Sequence, residues 1–140
     1  MIILNAQQLQ RLSEALLRLE RMLEAEGADP GALREGLEEA AHRMGVHLAV
    51  VRLADAGTLL RLHGPASGGD PAKLWATAEI LFLDGIRARA EGELSEARQR
   101  IRTALALFGE VDPGLKLPEA SPPLGERMDQ AQMLLDGEAR

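Results

Sequence analysis

Three histidines are the first side chains to question in this chain, because an imidazole can bind a metal or move a proton near neutral pH. His42 and His47 stand five residues apart. That misses the i, i+4 spacing that puts two ligands on one helical face, and neither opens a known metal motif. His63 precedes Gly64 near an expected helix end, where an imidazolium suits the helix dipole. There is no cysteine, which excludes disulfides, thiolate zinc sites and cysteine nucleophiles. Carboxylates are plentiful, as in Glu38-Glu39 and Glu91/Glu93, but they alternate with arginines at helical spacing, and Glu14 with Arg18 forms an ordinary i, i+4 pair. Nothing isolates two acids in an apolar cleft, as general acid–base work requires. Gly68-Gly69 runs into Asp70-Pro71 rather than the Lys-Ser/Thr of a phosphate loop, and no G-x-S-x-G is present. No catalytic residue, metal site or cofactor is implied, and the chain does not read as an enzyme.

The densest basic group is Arg87, Arg89, Arg98, Arg100 and Arg102. With Glu91, Glu93 and Glu96 interspersed it reads as a solvated outer face. The functional alternative is an acidic or phosphorylated peptide gripped by guanidinium forks. Nucleic acid is not expected: the net charge is −6, and the aromatics are only Trp75, Phe82 and Phe108.

The elements that must position these side chains are helices. Ala, Leu, Glu and Arg dominate, all good helix formers, while β-branched and aromatic residues are few. The expected fold is all-α, a single-domain bundle of five or six helices. At 140 residues the chain can build a real core unaided. The opening MIILNAQQLQ lacks the basic region of a signal peptide, and no segment approaches the roughly 18 apolar residues of a membrane span. A soluble, cytoplasmic protein is expected.

The N-terminal helices should occupy residues 1–63. Asn5 and Gln8 form a capping-box pattern opening a helix to about Glu26. Leu9, Leu12, Leu16, Leu19 and Leu23 then follow at alternating spacings of three and four, a heptad seam. That seam either faces the core or joins two subunits. Asp29-Pro30 reads as an N-cap and first helical residue, starting a second helix with Leu33, Leu37, Ala40, Ala41 and Met44 inward. Val46–Leu53 is left open between helix and extended chain. A short helix from Asp55 to His63 offers Leu59, Leu60 and Leu62. Residues 64–71 are a Gly/Pro loop ending in a second Asp-Pro cap.

Residues 72–110 should form two antiparallel helices turning at Gly92, with Leu74, Ala78, Leu81, Phe82, Gly85 and Ile86 inward on the first. The second should bury Leu94, Ala97, Ile101, Ala104, Leu105 and Phe108. Four prolines break the connection at 111–123, and a last helix at 124–137 presents Leu124, Met128, Ala131, Leu134 and Leu135.

The segment Ala78–Val111 resembles one tetratricopeptide-type (TPR) hairpin. Leu81 and Gly85 supply its large and small places in the first helix, Ala97, Ile101 and Ala104 the small, bulky and small places of the second, and Gly92 its turn. The departures are Asp84 and Ala88, where the pattern wants Leu and Tyr, and Gly109 in place of the closing Pro. Ser13–Arg43 is a degenerate second copy, with Gly36 and Glu39 where bulky and small residues belong. Over Leu48–Leu135 the layout resembles a group of small bacterial TPR-like proteins for which no activity is assigned. The resemblance implies a non-catalytic protein-interaction module, with Glu79, Phe82, Ile86 and Arg89 on the partner-binding face of the hairpin. An incomplete repeat array leaves apolar surface to cover, and the Leu seam makes a homodimer the expected assembly. The alternative is a small-ligand sensor or carrier with a pocket between helices near Trp75, Phe82 and Phe108.

Overall fold

A computed structural model describes residues 4–25 and 27–138. Among them are seven α-helices and no strand: α1 (Ala6–Glu24), α2 (Pro30–Arg43), α3 (Leu48–Leu53), α4 (Ala56–His63), α5 (Pro71–Ala90), α6 (Leu94–Phe108) and α7 (Leu124–Glu138). The bundle is all-α, as composition requires. Val46–Leu53, open on sequence, resolves into the short helix α3. The expected end of the first helix at Glu26 and the opening residues 1–3 lie outside the described residues.

Four N-cap side chains, Asn5, Asp29, Asp55 and Asp70, set where helices begin. Asn5 and Gln8 close a capping box on α1. Asp29, Asp55 and Asp70 accept from the backbone N–H of Gly31, Thr58 and Ala72 at 3.0, 2.7 and 3.0 Å. Asp70 also accepts from Leu4 N–H at 3.0 Å, tying the chain's opening to the start of α5.

α5 is the axis of the fold. Its buried residues include Leu74, Trp75, Leu81 and Phe82, but also Glu79, Asp84 and Arg87 on other sides. A helix buried on all sides must be wrapped by other helices. α1 contributes Leu12, Leu16 and Leu19, α2 contributes Leu37, Ala40 and Ala41, and α6 contributes Ile101, Leu107 and Phe108. Each Leu, Ile or Phe among these taken from water is worth about 1.5–3 kcal/mol.

The hairpin of α5 and α6 owes its closeness to Gly85. A Cβ there would stand 2.6 Å from Ile101 Cγ1 and 3.3 Å from Ala97 O. Gly92 closes the turn at φ +80°, a conformation that costs glycine no steric penalty. Phe82 and Phe108 meet edge to face across the pair at 6.5 Å.

One expected core position is corrected. Leu94 is 58% exposed, because as the first residue of α6 it lies at the open end of the hairpin. Leu62 is exposed on α4, where Leu59 turns inward instead.

Glycine spacing gives the first test. Gly85→Val should lower unfolding free energy in urea by about 1–3 kcal/mol, through overpacking against Ile101. Gly125→Ala in α7, where a Cβ meets nothing within 4 Å, should instead raise it by ~0.5 kcal/mol.

Candidate functional site

Glu79 and Asp84 are five residues apart on α5, which separates them by about 140° around the helix. They therefore face different neighbours, and each gathers arginines from other helices.

Asp84 is 0% exposed. Arg52 of α3 grips it as a fork, Nε to Oδ2 at 2.9 Å and Nη2 to Oδ1 at 2.8 Å. Arg87, one turn on along α5, donates from Nε to Oδ1 at 2.9 Å. Arg100 of α6 stands with Nε 2.7 Å from Oδ2, an ion pair whose N–H lies off the hydrogen-bonding direction. The network runs outward from there: Arg87 also pairs with Glu91, and Arg34 of α2 reaches Glu91 at 2.5 Å and Glu93 at 3.6 Å. Four guanidinia thus meet three carboxylates, for a local charge of +1. Burial pushes the Asp84 carboxyl up, but hydrogen bonds and charge from Arg52 and Arg87 outweigh it and hold the group below the ordinary aspartate range.

Glu79 is served by Arg127 of α7, whose Nε lies 3.1 and 3.0 Å from its two oxygens. The same guanidinium reaches Glu20 of α1 at 2.7 Å and Gln130 at 2.8 Å, and lies 4.6 Å from the centre of the Phe82 ring. One cation is shared between two acids. Burial therefore raises Glu79, with Arg127 offsetting it only in part and the Glu20 charge adding to the rise.

The expected binding face is not open. Glu79 and Phe82 are buried and engaged by Arg127 of α7, Ile86 is partly buried, and Arg89 alone of the four is exposed. The physical reason is that α7 supplies the cation Glu79 needs. The Leu seam is likewise internal: Leu9, Leu12, Leu16 and Leu19 are buried and Leu23 partly so, all packed within this one chain. Apart from the partly exposed Leu23, the seam is covered within this chain. The arginine group is split rather than uniformly solvated. Arg87 is buried and Arg100 nearly so, both committed to Asp84, whereas Arg102 is exposed and Arg98 half-buried. At His63, burial first and the Lys73 charge second push the pKa down, so both oppose the imidazolium that the helix end would favour. Near Trp75, the space it lines with Ser13, Glu79 and Arg127 amounts to about 10 Å³, roughly one water rather than a metabolite.

Sequence reasoning missed Asp84, Arg52, Glu20 and Arg127 as partners. Asp84 did carry a signal, as a carboxylate at a hairpin place that wants a large apolar residue. Larger open clefts lie elsewhere: about 500 Å³ between α2 and α3, lined by Glu35, Glu38, Glu39, His42 and His47, and about 480 Å³ between α4 and α6. No helix of the described residues is long and apolar enough to cross a membrane. No protein family, curated protein or solved structure matches the chain.

Asp84→Asn would leave guanidinia buried around a neutral amide, and should cost about 3–5 kcal/mol of unfolding free energy. The two acids should also show opposite pH signatures. Asp84, depressed in the fold, contributes stability above its ordinary value near 3.8 that is lost as pH falls through its folded value. The gap between wild type and Asp84→Asn should therefore shrink in acid. Glu79, raised in the fold, contributes stability below its ordinary value near 4.5 that is lost as pH rises through its folded value. Relative to Glu79→Gln, the wild type should gain as pH falls from neutral toward that value. Urea titrations across pH check both.

Proposed function

We propose that this protein is a non-catalytic, cytoplasmic protein-interaction module built around a TPR-like hairpin, and that it self-associates through α3 rather than through α1. The carrying observation is that Val50 and Leu53, one turn apart on α3, are 61% and 86% exposed. They share α3 with Ala49 and Arg52, which line the open α2–α3 cleft. Large apolar side chains held out on a short helix gain most from burial against a partner, and in a second copy the same patch meets itself across a two-fold axis. The non-catalytic part rests on the acids. Glu79 and Asp84, the buried carboxylates, are both committed to guanidinia, which leaves neither disposed to shuttle protons. No observation favours the ligand-carrier alternative, given the closed interior beside Trp75.

Light scattering over a concentration series tests this reading. The expected result is a rise from monomer to dimer mass that Leu53→Asp abolishes without lowering the melting temperature. A monomer at the highest soluble concentration would sink self-association, and a dimer indifferent to Leu53→Asp would sink the α3 contact.

A further inference from the structure

We propose that the α4–α6 cleft is a binding site for an acidic peptide segment, separate from the α3 contact and independent of self-association. Ser95, Arg98, Gln99, Arg102 and Thr103 of α6 line it, with Ala56 of α4 opposite, around about 480 Å³. Every polar side chain in that lining donates hydrogen bonds and none is an acid. In a chain of net charge −6, a cleft without a carboxylate is a local reversal of sign.

The two guanidinia are available because of what their neighbours do. Arg87 and Arg100 of the same basic group are drawn inward onto Asp84. Arg98 and Arg102 make no hydrogen bond or ion pair among the described residues, though Glu96 shares their helix. The nearest acid in sequence to the opposite wall, Asp55, is occupied in capping Thr58 N–H. Arg98 and Arg102 lie four residues apart, so their Cβ atoms stand roughly 6 Å apart on one helical face. That spacing fits two carboxylates one helical turn apart on a partner, each able to take a two-pronged guanidinium contact. Ser95, Gln99 and Thr103 then offer donors to partner backbone carbonyls, and the small Ala56 leaves room for the partner's chain.

The test uses the whole protein and a fluorescein-labelled helical peptide of alternating Glu and Ala pairs, with a Lys-for-Glu peptide as counterpart. Polarisation should rise with the acidic peptide only, and the affinity should fall at least about tenfold as added salt screens the contact. The double variant Arg98→Glu with Arg102→Glu should lose binding by at least about tenfold, the scale of a lost charge-assisted contact. A control of equal charge change, Arg18→Glu with Arg21→Glu on the exposed face of α1, should bind as the wild type does apart from a small uniform loss. Equal losses in both double variants would overturn the site, because net charge alone would then explain binding. No binding of the acidic peptide at low salt would overturn it too, as would tighter binding of a labelled oligonucleotide that the Arg98/Arg102 variant abolishes.

Discussion

Two carboxylates on a helix with no solvent-facing side govern how the rest of the chain packs. An ionised acid taken out of water costs several kcal/mol even after relaxation, and a partner must recover that through short, well-directed contacts. α5 has too few cations for this, since only Arg87 reaches Asp84 from the same helix. The others come from elsewhere: Arg52 from α3, Arg100 from α6 and Arg127 from α7. Arg52 therefore fixes the height of α3 along α5 through two nitrogens, while Arg127 and Arg100 tie α7 and α6 to it through one each. Apolar contacts alone tolerate sliding by a turn, whereas a two-pronged guanidinium on a buried carboxylate does not.

These networks are weak evidence for stability as such. Replacing a buried ion pair with matched apolar residues is often neutral or stabilising, while removing one partner is costly. Their distinctive contribution here is geometric. α3 has only six residues, too short for a stable isolated helix, and it has no side-chain cap. Its placement rests on Leu48 and Val51 inward together with the Arg52 fork. α7 follows a proline-broken connection that cannot transmit helical register from α6, so Arg127 serves to set its phase.

Helix boundaries were legible because their signals are local. Asn5, Asp29, Asp55 and Asp70 each cap the helix expected of them, and Gly92 sits at the turn between α5 and α6. The inward residues of α1 were legible for the same reason, since a seam of leucines at three and four has one face whatever covers it. What covers it was not. Whether Leu12 and Leu16 meet α5 of the same chain or another copy depends on tertiary contacts distant in sequence. α5 defeated pattern reading most fully, because a helix wrapped on every side has no polar face to set its phase. Glu79 was then expected on an open binding face, Asp84 stood out only as a departure from the hairpin pattern, and Arg87 and Arg100 looked like solvated arginines. The hairpin pattern held the missing clue, in that an acid at an apolar place must either destabilise the pair or find a buried cation.

The fate of the arginines also determines what the surface can do. Of the five in the basic group, the inward pull of Asp84 removes Arg87 and Arg100 from solvent. Because residues 98, 100 and 102 are spaced by two, Arg100 lies some 200° from both neighbours around α6. Turning Arg100 toward α5 therefore turns Arg98 and Arg102 away from it, onto the α4 side and together. A buried acid on one helix thus fixes the sign of an open cleft on the next. The charge pattern of the outside follows from an electrostatic demand made inside, which is why composition, averaging over both, read this group as one solvated face.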